Sequence, residues 1–173
     1  MTRAAILGLL LSTAAWRAAA DSPLPAPADY KAQSPNGSCY ALLEVKSART
    51  TVFRRAKGRP AVRLWDMAGW FRVVSLSDDC EHLVVGYDGS NLLPLDFTPD
   101  LVMLRFFERG RLLREVRLNE LIRDRSKLQR TVSHYNWGRY LGFDQRNRYL
   151  VETVEGERIV FSATGQRVAA GGK

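Results

Sequence analysis

His82 and His134 are the only two histidines in a chain of 173 residues, so acid-base or metal chemistry would have to start from them. His82 closes the run Asp78-Asp79-Cys80-Glu81-His82, which carries ligand-type side chains. A turn rich in Asp, however, also forms because Asp side chains hydrogen-bond their own backbone. Neither histidine has a second at metal-ligand spacing, so no metal or cofactor is expected. Ser133-His134-Tyr135 sets a Ser beside a His, but the nucleophile and base of a triad come from different elements and need a third, orienting group. No G-x-S-x-G elbow is present. Gly86-Tyr87-Asp88-Gly89 reads as a turn at a strand end with no helix start to hold an anion. Cys39 and Cys80 lack a C-x-x-C partner. The expectation is therefore a non-enzymatic protein. The alternative, a small envelope hydrolase or an enzyme inhibitor, requires His82 or His134 to meet Ser, Asp or Cys from another strand.

Binding chemistry has two candidate sources. Tyr135, Trp137, Arg139 and Tyr140 alternate aromatic and polar groups, a pattern that suits a stacking platform for sugar rings or a peptide; the same aromatics would equally fill a β-sheet core. The second source is charge. Arg49, Arg54, Arg55, Lys57, Arg59 and Arg63, with Lys46, lie in residues 46–65 without a single acid, whereas residues 66–100 hold seven acids against Arg72. These blocks either pair between neighbouring hairpins or leave a basic face for an anionic glycan, a membrane surface or an envelope protein. Nucleic acid is not expected, since no recognisable nucleic-acid module is present.

The N-terminus suggests where such a surface would work. Arg3 precedes the apolar run Ala4 to Ala15, and Ala18-Ala19-Ala20 offers small residues for cleavage; this is the pattern of a secretory signal, too short to span a bilayer. Residues 1–20 are read as signal peptide, 21–33 as a Pro/Ala-rich spacer and 34–170 as one β domain, periplasmic or secreted. The net charge of +8 falls to about +6 without the signal's two arginines. No later apolar run approaches the length of a transmembrane helix. Two cysteines in an exported chain invite a Cys39–Cys80 disulfide; two buried free thiols are the competing reading.

The elements that must position these residues are strands. Turn signals recur every 8 to 12 residues from Pro35-Asn36-Gly37 to Thr164-Gly165-Gln166, and connections this short imply antiparallel hairpins. Expected strands include Thr50–Phe53 with Ala61–Trp65, Trp70–Leu76 with His82–Tyr87, Leu101–Phe107 with Leu112–Leu118, and several between Tyr140 and Val168. One short helix is expected, capped by Asn119, with Leu118, Leu121, Ile122 and Leu128 on one face; a loop is the other reading. Gly171-Gly172-Lys173 is expected to fray.

A weak internal repeat aligns Ser34-Pro35-Asn36-Gly37-Ser38-Cys39-Tyr40-Ala41-Leu42 with Ser77-Asp78-Asp79-Cys80-Glu81-His82-Leu83-Val84-Val85. These phrases resemble the S-P-D-G turn that opens a strand in WD-type propeller blades, and the chain is similar to uncharacterised bacterial secreted β proteins. Cys80 stands where such blades carry Gly. The resemblance implies blade-like sheets, but a closed propeller needs at least four blades, more than this chain's strands supply. The expected architecture is an all-β, open propeller-blade-like stack or a two-sheet arrangement, completed by a partner or by self-association.

Overall fold

The computed structural model describes residues 24–169, so the signal peptide, the first part of the spacer and the frayed C-terminus expected above lie outside the described residues. The described residues are all-β with one short helix. Its strands form four antiparallel sheets rather than two, and three of these have four strands each.

The first sheet is a simple meander of β1 (Tyr30–Gln33), β2 (Cys39–Glu44), β3 (Arg49–Ala56) and β4 (Arg59–Ala68). The sheet thus begins inside the stretch expected to be spacer: Tyr30 to Gln33 alternate between half-buried and exposed and pair with Leu43 to Tyr40 of β2. The next two strands are β5 (Val74–Leu76) and β6 (His82–Gly86). Trp70 and Phe71, expected in the same strand as Val74, lie off the sheet. The N-terminal arm binds them there: the Trp70 indole donates to Ala28 O at 3.0 Å and the Tyr30 hydroxyl to Phe71 O at 2.7 Å.

After β6 comes β7 (Leu92–Pro94), and the second sheet resumes with β8 (Val102–Glu108) and β9 (Arg111–Arg117), in the order β5-β6-β8-β9. The helix α1 spans only Leu118–Leu121. Its first turn is closed by the Glu120 carboxylate, which accepts from the Arg117 amide at 2.9 Å, so Asn119 is inside the turn and not its cap. Leu118, Leu121, Ile122 and Leu128 are all buried, but Leu128 follows a separate 3-10 turn, Arg125–Lys127. Strands β10 (Gln129–Arg130) and β11 (His134–Asn136) pair with β7 into a small third sheet. The last sheet is a meander of β12 (Gly138–Phe143), β13 (Tyr149–Thr153), β14 (Arg158–Phe161) and β15 (Arg167–Val168).

The second sheet is covered on both faces, which explains why Leu83-Val84-Val85 runs without polar alternation. Leu83 and Val85 join Cys39, Ala41, Leu43 and Val52 of the first sheet in one core. Val84 points the other way, with Phe106, toward Trp137, Tyr149, Val151 and Phe161 in a larger core.

The turns that follow β1, β5 and β12 are built alike. Ser34, Ser77 and Asp144 each donate their amide across the turn, to Cys39, His82 and Arg148 carbonyls at 3.1, 3.0 and 2.9 Å. Each also accepts, through its side chain, from the amide of that same facing residue at 2.9–3.2 Å. The left-handed position is taken by Gly37, Cys80 and Asn147, with φ of 71°, 65° and 54°. Cys80 thus occupies the backbone conformation that the repeat assigns to Gly.

Candidate functional site

The two cysteines form a disulfide, with Cα atoms 5.6 Å apart and both residues buried. It links the start of β2 to the β5–β6 turn, and so ties the first sheet to the second. Both sulfurs are committed to this bond.

His82 lies in a network belonging to its own turn. Its Nδ1 is 2.9 Å from Asp79 Oδ2 and its Nε2 is 3.8 Å from Glu108 Oε1. The Ser77 hydroxyl bonds both Asp79 Oδ1 and the His82 carbonyl. Burial would raise the Asp79 pKa, but hydrogen bonds from the Ser77 hydroxyl, the Glu81 amide and His82 outweigh it and hold the carboxyl below its ordinary value. Among the described residues no Ser or Cys from another strand is bonded to His82. His134, on β11, has Ser133 Oγ 2.9 Å from its Nδ1, a contact between chain neighbours at the surface. Among the described residues no group of three or more His, Cys, Asp or Glu is placed to hold a metal ion.

Most of the aromatic stretch is packed into the fold. Trp137 is fully buried; its indole donates to Ser90 O at 2.8 Å and its ring meets that of Tyr140 edge-on at 5.0 Å. The Tyr140 hydroxyl accepts from the Tyr87 amide at 2.9 Å and donates to Met103 O at 3.1 Å. Burial raises its pKa well above the ordinary phenol value. Tyr135 packs edge-on against Phe97. These rings fill the junction of the second, third and fourth sheets because a wide apolar gap there needs large side chains. Arg139, by contrast, is exposed and paired with Glu152 through Nε at 2.8 Å and Nη2 at 2.5 Å. Beside this pair opens a cleft of about 550 Å³, lined by Ser90, Asn91, Asn136, Arg139, Tyr140 and Glu152. Ser90, Asn91 and Glu152 were not among the residues singled out in the sequence. Nothing in the local pattern links the β6–β7 loop to β12 and β13.

The six basic residues expected on one face divide into three groups. Arg49 and Arg63 both pair with Asp66, one strand across or three residues on. Arg54 turns toward the disulfide, where Nε lies 3.4 Å from Cys80 Sγ and Nη2 donates to Asp79 O at 3.3 Å. Arg55, Lys57 and Arg59 remain exposed toward the β3–β4 turn. The split follows from strand geometry, because neighbouring side chains such as Arg54 and Arg55 point to opposite faces.

On the solvent side of the first sheet, Tyr40 of β2 and Phe53 of β3 are register partners and stack at 5.1 Å with a 14° interplanar angle. Lys31 Nζ lies 5.0 Å and the Arg55 guanidinium 5.6 Å from the Tyr40 ring centre, within cation–π range. The result is an aromatic pair flanked by cations.

No family model matches this chain, and neither a curated protein nor a solved structure is significantly similar to it. Among the described residues no helix is long and apolar enough to cross a membrane.

Proposed function

We propose that this chain is an exported, non-enzymatic binding or assembly module of the cell envelope, which engages an anionic glycan through the outer face of its first sheet. The observation that carries this reading is the stacked Tyr40–Phe53 pair with Lys31 and Arg55 over the Tyr40 ring. The stacked pair sets an apolar aromatic edge on the sheet for the C–H groups of a sugar ring, and the flanking cations meet acidic substituents. The aromatic pair and its cations need a rigid support, and the disulfide on the opposite face of β2 supplies it. A buried disulfide also fits an oxidising compartment outside the cytosol, in keeping with the signal-like N-terminus.

The same reading treats the three four-stranded meanders as successive blades of an open, propeller-like stack. Their first strands, β1, β5 and β12, lie side by side with β5 in the middle, as blades arranged around a common axis would place them. Retention of the mature protein on immobilised heparin, compared with vesicles of phosphatidylglycerol, tests the function. Heparin retention that is lost by about 0.5 M salt and by Arg55→Glu/Lys57→Glu supports a glycan partner. Retention on vesicles alone would point to a membrane surface instead, and no retention at low salt would refute the proposal.

A further inference from the structure

The cleft between the β6–β7 loop and strands β12 and β13 is built differently from the cationic face. We infer that it is a second, independent binding site, for an uncharged, hydroxyl-rich ligand of the saccharide class. Its volume, about 550 Å³, falls in the roughly 300–1,000 Å³ range of small-molecule sites. Its walls are held in place by Trp137, whose backbone amide donates to Asn91 O at 3.2 Å and whose indole donates to Ser90 O at 2.8 Å. Ser90 is kept in a left-handed conformation, φ 58°. Gly138 provides the close approach of β12 to β13, since a Cβ there would come within 2.2 Å of Glu152 O. A rigid loop and a closely apposed strand pair therefore frame the opening.

The polar groups in this frame are left available. Asn136 Oδ1 accepts from the Gly138 amide at 3.0 Å, which fixes the side chain and leaves its NH₂ group to donate elsewhere. The Asn91 amide group and the Ser90 hydroxyl have no protein partner among the described residues. Arg139 binds Glu152 through a single carboxylate oxygen, so Glu152 Oε1 can still accept and Arg139 Nη1 can still donate. Planar amides and a planar guanidinium–carboxylate pair match vicinal hydroxyls, each of which both donates and accepts.

Charge decides against other small ligands. The Arg139–Glu152 pair is internally neutralised, so a phosphate or carboxylate would have to displace Glu152 to gain an ion pair. An apolar ligand would strand the two amides and the carboxylate without water, at a cost of about 1–3 kcal/mol for each unpaired group. A neutral polyol satisfies them all, and its C–H groups can meet Val73 and Val154, which line the same cleft.

The test is titration of the isotopically labelled mature protein with cellotriose, maltotriose and tri-N-acetylchitotriose at millimolar concentrations, followed by amide NMR. Expected is a saturable shift of the Asn91 and Asn136 side-chain amide signals with at least one trisaccharide, unchanged by 0.5 M salt. Asn91→Ala and Glu152→Gln should each weaken it at least tenfold, while Arg55→Glu/Lys57→Glu, which disables the cationic face, should leave it intact. Absence of shifts at these residues with all three sugars, or wild-type affinity in both cleft variants, would overturn the assignment. Because the two sites use different residues and differ in salt dependence, failure of one leaves the other standing.

Discussion

Asn36 donates its backbone amide to the Asp78 carboxylate at 2.8 Å, and Asp78 in turn donates its own amide to the Asn147 side-chain oxygen at 2.8 Å. These residues lie in the turns after β1, β5 and β12, so one line of hydrogen bonds joins the ends of the three four-stranded sheets. The contact runs between equivalent turns, which makes the sequence repeat a device for docking one sheet against the next.

Removing the acceptor in the middle of this line should be felt as lost stability. Asp78→Ala deletes the partner of the Asn36 amide and should cost about 1 kcal/mol, since the bond is charge-assisted but solvent-accessible. Asp78→Asn keeps an acceptor oxygen and should cost less. Urea unfolding of the two variants checks this; equal midpoints for Asp78→Ala and the parent protein would show that the turns dock without that bond.

How far the sequence disclosed this arrangement depends on the residue. The Ser34 and Ser77 turns were legible because a Ser followed by a polar turn and an apolar strand recurs at matching positions. The third turn was hidden, since it opens with Asp144 and is one residue shorter, although its hydrogen bonds are the same. Strand pairing in the meanders could be read because short turns leave one choice of partner. The β7-β10-β11 sheet could not, because its strands come from an insertion in the second sheet and from the segment after α1, 35 or more residues apart. The same limitation concealed the cleft: Asn91 meets Asn136 only through that long-range pairing. Aromatic alternation at Tyr135 to Tyr140 could not show that Trp137 is buried, because a strand period does not tell which face is covered.

Cys80 offers a test of backbone and cross-link separately. Closing a loop of 41 residues should contribute roughly 4 kcal/mol by the chain-entropy estimate, so Cys39→Ala/Cys80→Ala should be strongly destabilised. Cys80 also adopts φ 65°, a conformation that costs a non-glycine residue about 1 kcal/mol. Cys39→Ala/Cys80→Gly should therefore recover about 1 kcal/mol relative to the double alanine variant. Identical melting temperatures for the two would mean that the turn relaxes when the disulfide is absent.

The Asp79 carboxyl sets an acid limit. Its folded pKa lies below its ordinary value, so its contribution to stability is present in full above about pH 5, where the unfolded carboxyl is also ionised, and drains away as the pH falls through the folded pKa. Asp79→Asn retains an oxygen for the Glu81 amide and cannot titrate. Its stability should be lower than the parent's at pH 7 and the gap should narrow toward pH 2. A gap that is constant from pH 7 to 2 would show that the carboxylate charge adds nothing to the turn.

Trp137 separates the core and ligand readings of the aromatic stretch. The side chain has no solvent exposure, packs against Tyr140 and anchors the Ser90 carbonyl. Truncation to Ala leaves a large cavity and an unpaired carbonyl, and should cost about 3–5 kcal/mol. That is a sizeable part of the stability of a domain this size. The expected outcome is a lowered melting temperature together with loosening of the β6–β7 loop, seen as faster amide exchange at Asn91 and Leu92. Trp137→Phe should retain much of the packing but lose the bond to Ser90, which places it between the two. If Trp137→Ala instead melted like the parent, the indole would have to be dispensable for packing, and the wall it holds at the cleft would need another support.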